Sequence, residues 1–356
     1  MSAETTQEAR RQIEICNACR YCEGYCAVFP AITRQTAFAD GDITQLANLC
    51  HNCRGCYYAC QYTEPHEFAI NLPRVLAEVR TDSWQEFAWP KGFARAYDKH
   101  GVVIGSVVLA CLCILIFLAG SLQSAGEGEG FYAYMSHTVM VAIFAPAFVM
   151  PLFAVAVSLR RYWRHVGGGA LAWASVVRAF KDAASMRNLA GGQGQGQGCN
   201  FEDEDRFSNA RRIAHQLTMW GFLLCFASTS SGTILHYVFD MSAPYGLFSL
   251  PKLFGLPGGL MLSAGTLWLA HLKLRADGGL SDVRVRGGDM AFVLLLFAVS
   301  TSGLMLFGAT GTGFVAPLLT FHLATVLALF VLLPYSKFVH GFYRLAALIR
   351  DADGTG

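Results

Sequence analysis

The stretches CNACRYCEGYC (16–26) and CHNCRGCYYAC (50–60) carry eight of the twelve cysteines of the chain. Both follow one spacing, C-x2-C-x2-C-x3-C. Because the first three cysteines of each run stand so close together, their thiolates can converge on one centre from a short loop. The repetition of a complete four-cysteine run predicts two metal centres of the same kind within the first sixty or so residues.

The spacing resembles that of bacterial two-cluster ferredoxins, in which the fourth cysteine of each run ligates the other [4Fe–4S] cluster. This resemblance implies two crossed ligand sets: Cys16, Cys19, Cys22 and Cys60 for one cluster, and Cys50, Cys53, Cys56 and Cys26 for the other. In those ferredoxins proline follows the fourth cysteine directly. Here Pro30 and Pro65 come four and five residues later, so we expect a different local turn with the same ligands.

Disulfide bonds and zinc are the alternatives for these cysteines. Disulfides need an oxidising compartment, and the polar, charged segment MSAETTQEARRQIEI (1–15) is unlike a secretory signal. Zinc accepts groups of four thiolates, but the spacing is not that of a zinc finger. The pattern therefore favours two iron–sulfur clusters.

The remainder of the chain is apolar, and 54% of all residues are hydrophobic while only 15% are charged. A span of the bilayer needs about 20 apolar residues, and six runs approach or exceed that length. They are 101–123, 133–158, 212–239, 255–274, 289–309 and 314–341. So many long runs fit a membrane domain better than the core of a soluble protein. We expect a cluster domain at 1–95 and a membrane domain at 96–356.

Lysine and arginine concentrate in the segment 160–211, in the loop after the fourth span and in the carboxyl-terminal tail. The loops on the other side of the spans carry almost none. Since positively charged loops stay inside, we expect a multi-pass protein of the inner (cytoplasmic) membrane with both termini, the cluster domain and the loop 160–211 in the cytoplasm. The net charge of +2 is spread over these loops and does not suggest nucleic-acid binding.

Six of the ten histidines lie in or at the ends of the spans, where ionisable side chains are costly and are candidates for function. Three fall near the inner face and three near the outer face, and two layers of imidazole are what two b-type haems would need. The preferred ligands are His215 with His340 for the inner haem and His236 with His322 for the outer haem, with His137 and His271 as alternates.

The last span predicts a register for two of these histidines. His322 and His340 lie 18 residues apart, which is about five turns of one continuous helix, so they would share a face. Pro334 lies between them and would bend that helix. The alternative for any of the six histidines is an interfacial ring that points into the headgroups.

A family resemblance covers almost the whole chain. The stretches CNACRYCEGYCAVFPA (16–31), CHNCRGCYYACQYTEPHEFAINLPR (50–74) and GQGCNFEDEDRFSNARRIAHQ (196–216), together with the six spans, resemble the tricarballylate- and citrate-utilisation protein B family. The resemblance implies two [4Fe–4S] clusters and b-type haem. It also implies that the protein re-oxidises the reduced FAD of a separate dehydrogenase, a flavoprotein, and passes the electrons to quinone.

A shorter resemblance concerns the last span. FHLATVLALFVLLPYSKFVH (321–340) is similar to the last haem-bearing helix of the membrane cytochrome b subunit of respiratory nitrate reductase. The similarity falls on His322 and His340 and supports both as ligands.

We therefore expect an all-α membrane protein, in which a ferredoxin-like helical domain precedes a six-helix, cytochrome b-like bundle. We assign no residue to substrate dehydrogenation, so the expected role is that of an electron-transfer component in a quinone-linked oxidoreductase system. The alternatives are a membrane anchor for another respiratory oxidoreductase, a module serving a cobalamin-pathway flavoprotein, and a transporter or sensor with regulatory clusters. The spans lack the broken helices and repeats of many carriers, which disfavours the last.

Overall fold

The computed structural model describes residues 2–122, 130–190, 199–200, 207–241 and 243–354. The amino-terminal domain contains α1 (Ala3–Cys19), α2 (Val28–Thr33), α3 (Asp40–Leu49), α4 (Gly55–Tyr58) and α5 (Leu72–Phe87). The membrane domain contains α6 (Phe93–Ser121), α7 (His137–His165), α8 (Trp173–Ser185), α9 (Ala210–Phe239), α10 (Leu250–Arg275), α11 (Arg286–Gly308), α12 (Val315–Leu332) and α13 (Val339–Asp353). A two-residue antiparallel pair joins β1 (Cys199–Asn200) to β2 (Phe207–Ser208). The predicted helical class is confirmed.

Six segments of the described chain are long and apolar enough to cross a membrane, as predicted. They are Phe93–Ser121, His137–His165, Ala210–Phe239, Leu250–Arg275, Val283–Gly308 and Val315–Tyr335. Large apolar side chains on their outer faces stay uncovered by protein; Phe117, for example, is 64% exposed. Such a continuous apolar exterior suits lipid rather than water. The first membrane-spanning helix, α6, begins at Phe93, earlier than predicted, and is kinked at His100 (φ −124°, ψ 26°).

The expectation of one continuous helix over 314–341 is wrong. The helix α12 ends at Leu332, a short 3-10 turn follows over Leu333–Tyr335, and Ser336 has an extended backbone (φ −96°, ψ 175°) before α13 begins. Pro334 lies in this turn, where its ring and its missing N–H prevent continuation of the α-helix. The two histidines of this stretch therefore lie on separate helices, and the five-turn register does not apply to them.

In the membrane domain, α9 packs along α10, α10 along α11, and α11 along α6 and α12, while α7 packs on α12. Between α9 and α10 the backbones approach closely. A Cβ at Gly221 would meet the backbone nitrogen of Leu262 at 2.5 Å, and a Cβ at Gly265 would meet Thr218 at 2.6 Å. Small residues at such contacts are the usual means by which membrane helices pack tightly.

The amino-terminal domain is built on a core of α1, α3 and α5, with Ile13, Leu46 and Leu76 fully buried. The carboxyl-terminal helix α13 packs against α3, and α7 packs against α5. The buried Gln45 joins the domains, since its Nε2 donates to the carbonyl oxygen of Ala347 at 2.7 Å and its Oε1 accepts from the Tyr162 hydroxyl at 2.7 Å. The cysteine-bearing domain and α13 thus lie at the same end of the bundle.

The loop predicted over 160–211 is only partly described. It contains the last turn of α7, the amphipathic helix α8, β1, β2 and the start of α9. The glycine-rich positions 191–198 and the positions 201–206 lie outside the described residues.

Candidate cofactor sites

A cavity of about 230 Å³ in the amino-terminal domain is lined by cysteines from both runs. These are Cys16, Cys19, Cys22, Cys56 and Cys60. The first two lie on the last turn of α1, and Cys60 comes two residues after the end of α4. The cavity therefore brings the fourth cysteine of the second run to the first three of the first run, as the crossed ligand set requires.

The remaining fourth cysteine lies with the second run. Cys26 is only 7% exposed and Cys50 only 8%. Burial raises the pKa of Cys26, and the nearby Cys53 and Cys50 raise it further. Burial likewise raises the pKa of Cys56, and Cys53 and Cys26 add to the shift. Cys26 thus lies with Cys50 and Cys53, whereas Cys56 also lines the cavity of Cys16, Cys19 and Cys22. The two crossed ligand sets stay a prediction.

Cys16 and Cys22 are stable as neutral thiols unless a positive centre binds them. Burial raises the pKa of both Cys16 and Cys22 to about 12, and the neighbouring thiols add to the shift. Within the described residues, no three His, Cys, Asp or Glu side chains are close enough to hold a single metal ion. A [4Fe–4S] cube takes one thiolate at each of four irons and so accepts wider spacing. The cysteine groups fit a cluster better than a mononuclear ion.

The backbone of the two cysteine runs has the same conformation after the second cysteine. Arg20 and Arg54 each follow the second cysteine of their run, and both have left-handed backbone, with φ of 54° and 67°. This conformation costs a residue with a Cβ about 1–2 kcal/mol, so its recurrence at equivalent positions shows a shared loop geometry. In the second run the backbone N–H of Asn52 also donates to the sulfur of Cys50 at 3.4 Å. Such bonds to sulfur are one means of setting a cluster's potential.

The structure brings together His215 of α9 and His340 of α13, the pair expected at the inner level. Their ring centres are 5.8 Å apart. Two metal–nitrogen bonds of about 2 Å each, together with the ring radii, would put two axial imidazoles roughly 6 Å apart. The Nδ1–H of His340 donates to the carbonyl oxygen of Lys337, which leaves its Nε2 for a metal. Burial, followed by the neighbouring His215, lowers the pKa of His340 and keeps the imidazole neutral.

A second cavity, of about 650 Å³, connects this pair to the cysteine domain. His215 and His340 line it from the membrane domain, and His51 and Asn52, which follow the first cysteine of the second run, line it from the other side. The Nδ1 atoms of His51 and His215 are buried and make no hydrogen bond to the described residues. Residues that lie between the cysteines of the second run therefore border one cavity with the inner histidines, and its volume lies within the range of about 300–1,000 Å³ typical of cofactor sites.

Three arginines that sequence reasoning did not single out hold the second cysteine run in place. The guanidinium groups of Arg80 and Arg344 donate to the carbonyl oxygen of Cys50, and that of Arg211 donates to the carbonyl oxygen of Asn52 at 2.6 Å. In the sequence Arg211 and Arg344 counted only as positive charges of inside segments, and Arg80 was not considered. A signal was present nonetheless, because Arg211 precedes His215, and Arg344 follows His340, by one helical turn.

At the outer level the arrangement differs from the expected pairing. His236 lies against His137, with ring centres 4.4 Å apart, and His137 Nε2 is 3.2 Å from the Tyr237 hydroxyl. Two rings this close cannot occupy opposite sides of one iron without moving. His322 has no ring contact with His236 in the described part of the chain; its Nδ1 lies 2.9 Å from Ser302 Oγ. A donated Nδ1–H there leaves Nε2 for a metal.

The other alternate, His271, lies exposed on α10. It does not line the cavity beside His215 and His340. No hydrogen bond or ring contact joins it to the described residues, so nothing in the structure places it as an inner ligand.

Comparison with known proteins agrees with the resemblance inferred from the sequence. A family model described as "Citrate utilization protein B Fer4-like domain" matches residues 9–86, and one described as "Citrate utilization protein B" matches residues 97–355. A curated relative from Escherichia coli, "Citrate utilization protein B", is 40% identical over 353 residues, which cover 98% of this chain and 92% of the relative. No solved structure matches. The chain belongs to the citrate utilization protein B family.

Proposed function

We propose that this protein re-oxidises the reduced FAD of a partner dehydrogenase and passes the electrons through two [4Fe–4S] clusters and b-type haems to quinone. The observation that carries the proposal is the cavity that His215 and His340 share with His51 and Asn52 of the second cysteine run. A haem held by the two histidines would therefore be the immediate neighbour of the second cluster. The matching Fer4-like domain supports an iron–sulfur electron-transfer role.

The exposure of the two cysteine groups supports an order for the electrons. Cys19 in the first group is exposed, and Tyr21 beside it is 69% exposed. In the second group, Cys26 and Cys50 are buried in the hydrophobic core that continues into α7 and α13. A flavoprotein in the cytoplasm would thus reach the first cluster, and electrons would continue to the second cluster and then to the inner haem.

When bound, the clusters and haems supply the one-electron chemistry. The chain's own residues position them. The left-handed turns at Arg20 and Arg54 aim the cysteines, the Lys337 carbonyl fixes the tautomer of His340, and the buried surroundings keep that imidazole neutral. Quinone is the acceptor that suits a membrane-embedded chain, because it is lipid-soluble. At the outer level we retain His236 and His322 as ligands, with His137 as the alternate.

The name of the Escherichia coli relative supports a role in citrate utilisation, and the resemblance seen in the sequence extends the proposal to a partner dehydrogenase in citrate or tricarballylate utilisation. The contact between α3 and α13 places the cysteine domain and the carboxyl-terminal helix at one end of the bundle, and the positive loops favour the cytoplasmic side of the inner membrane for that end. A green fluorescent protein fused after Gly356 should fluoresce, whereas alkaline phosphatase fused there should be inactive. The reverse pattern would contradict this orientation.

Cofactor content of the detergent-purified protein tests the proposal. We expect iron and acid-labile sulfide for two [4Fe–4S] clusters, and two b-type haems by the pyridine haemochrome assay. His340→Ala should lose the inner haem and keep the outer one and both clusters, whereas the control His271→Ala should keep all cofactors. A wild-type protein with clusters but without haem, or an unchanged haem content in His340→Ala, would refute the haem pathway.

A further inference from the structure

The cavity between the second cysteine run and the inner histidines carries an excess of positive charge. Seven basic and three acidic side chains line it. Of the acidic ones, Asp289 is held by Lys273 at 2.8 Å and by Lys337, and Asp282 by Arg284 at 2.8 Å. Asp289 compensates one of the two lysines, so an excess of positive charge remains on the arginines that line the cavity, among them Arg80, Arg211 and Arg344.

Arg80, Arg211 and Arg344 have carbonyl oxygens as partners rather than carboxylates. Among the described residues none of the three forms an ion pair with Asp or Glu, and the Nε of Arg344 is buried without a hydrogen-bond partner. Burial, followed by repulsion from Arg80, lowers the pKa of Arg344 to about 9. A buried charge of this kind is costly unless an anion compensates it.

The position of these cations relative to the histidines indicates what that anion is. Arg211 lies one helical turn before His215, and Arg344 lies one turn after His340, so each arginine shares a helix face with a candidate haem ligand. All four side chains line the same cavity. An anionic group that enters beside the two imidazoles would meet both guanidinium groups.

We infer that this cavity is a carboxylate-binding site, in which Arg211 and Arg344, assisted by Arg80, bind the two propionates of the haem that His215 and His340 hold. The inference rests on the proposed function, because it needs a haem at that pair. Guanidinium groups suit the task, since their donors match both oxygens of a carboxylate and stay charged. The arginines then join the haem edge to the Cys50 and Asn52 carbonyls, and so to the second cluster.

Reconstitution with a modified haem tests the inference. The full-length protein is produced without haem, and its affinities for protohaem and for protohaem dimethyl ester, which lacks the propionate charges, are measured by the Soret absorbance. The wild type should bind the ester roughly ten- to a hundredfold more weakly. In Arg344→Gln this difference should shrink, because the loss of the arginine removes the preference for charge. The control Arg74→Gln, which breaks only an exposed pair with Glu78, should behave like the wild type.

Further measurements separate the possible failures. EPR signals of both clusters confirm folding in each variant. If Arg344→Gln does not fold, Arg211→Gln takes its place. The comparison of the two haems in the wild-type protein does not depend on either variant. Equal affinity of the wild type for both haems overturns the inference but leaves the proposed function intact. Failure of the wild type to bind either haem, or binding unchanged by His340→Ala, refutes the proposed function itself.

A free carboxylate is the other source of the same chemistry. In the protein already loaded with protohaem, we expect citrate and tricarballylate to leave the Soret band and the midpoint potential unchanged, because the propionates occupy the arginines. A saturable shift in the wild type that Arg344→Gln abolishes would overturn the propionate assignment in favour of a free tricarboxylate.

Discussion

Cys60 belongs to the second cysteine run in the sequence but lies beside cysteines of the first run in the structure. It closes the second run, yet it lines the cavity of Cys16, Cys19 and Cys22. Cys26 closes the first run and lies with Cys50 and Cys53. Under the proposed crossed ligation, each cluster would take its fourth thiolate from the other run, and neither site would be complete without it.

Replacement of these two cysteines should therefore damage the opposite cluster. We expect Cys60→Ser to remove or alter the first, more exposed cluster and to leave the second, because the serine replaces a thiolate of the first site only. Cys26→Ser, its matched control, should do the reverse. EPR of the reduced protein, with the two spectra resolved by redox titration, measures both. Loss of the second signal in Cys60→Ser would contradict the crossed ligation.

A second residue-level prediction concerns the hydrogen bond between Ser302 and His322. An acceptor for Nδ1–H makes a ligating imidazole more basic and favours oxidised iron. Ser302→Ala should therefore raise the midpoint potential of the outer haem while haem content stays the same. Redox titration followed at the haem α-band gives the potential.

The neighbouring Ser300 provides the control for that measurement. It lies on the same helix, and its hydroxyl is paired with Ser263 at 2.8 Å rather than with a histidine. Ser300→Ala should leave the midpoint potentials of both haems unchanged. An unchanged potential in Ser302→Ala would argue against His322 as an axial ligand.

Among the elements, the pair α9 and α10 depends most clearly on small residues. Gly221 faces Leu262, and Gly258 faces Leu224, whose Cβ would be 2.8 Å from an added Cβ. Neither helix can move away without shifting a histidine, because α9 carries both His215 and His236. Close packing of this pair thus determines where the two candidate ligands of α9 lie.

Gly221→Leu should destabilise the protein strongly. The new side chain would collide with α10 backbone, so we expect the free energy of unfolding to fall by at least about 3 kcal/mol, with loss of haem. Gly105→Leu on α6 is the control, since nothing lies within 4 Å of an added Cβ there; its effect should stay within about 0.5 kcal/mol. Thermal unfolding in detergent compares them. Equal effects would mean that the α9–α10 contact is not tight.

At the scale of the whole molecule, the cysteine domain is held against the membrane domain by apolar packing and by several polar contacts, one of which is buried and is made by Gln45. Gln45 of α3 bonds to Tyr162 of α7 and to the Ala347 carbonyl of α13, and all these atoms are buried. At the edge of this interface, Arg350 and Asp42 form an ion pair at 3.3 Å. These contacts orient the second cysteine run toward the inner histidines.

Gln45→Leu should weaken the attachment of the domain. It removes the acceptor of the buried Tyr162 hydroxyl and one hydrogen bond to the Ala347 carbonyl, at a cost of about 1–3 kcal/mol. We expect a lower unfolding temperature and slower haem reduction by dithionite-reduced clusters, with both cluster signals retained. Gln7→Leu on the exposed side of α1 is the control and should change neither quantity. Equal electron-transfer rates in the two variants would show that the interface does not set the distance between the second cluster and the haem.

Much of the architecture could be predicted from local patterns. The six spans follow from hydrophobic length, and the two cysteine runs are recognised by their spacing, because both depend on residues close together in the chain. The crossed ligand sets came from the resemblance to ferredoxins and stay a prediction. The inner pair, His215 with His340, was predicted from its depth in the membrane. The helix break at Pro334 was underestimated as a bend: α12 ends in the turn that contains the proline, and the extended backbone of Ser336 follows.

The sequence by itself determined that this is a six-span helical membrane protein with two four-cysteine runs, because span length and ligand spacing are properties of short segments. Only the tertiary structure decided which side chains meet. Contacts between α9, α13 and the cysteine domain place Arg211, Arg344 and Arg80 around one cavity, and the packing of α7 on the outer end places His137, rather than His322, beside His236. Such contacts join residues far apart in the chain, and no local pattern encodes them.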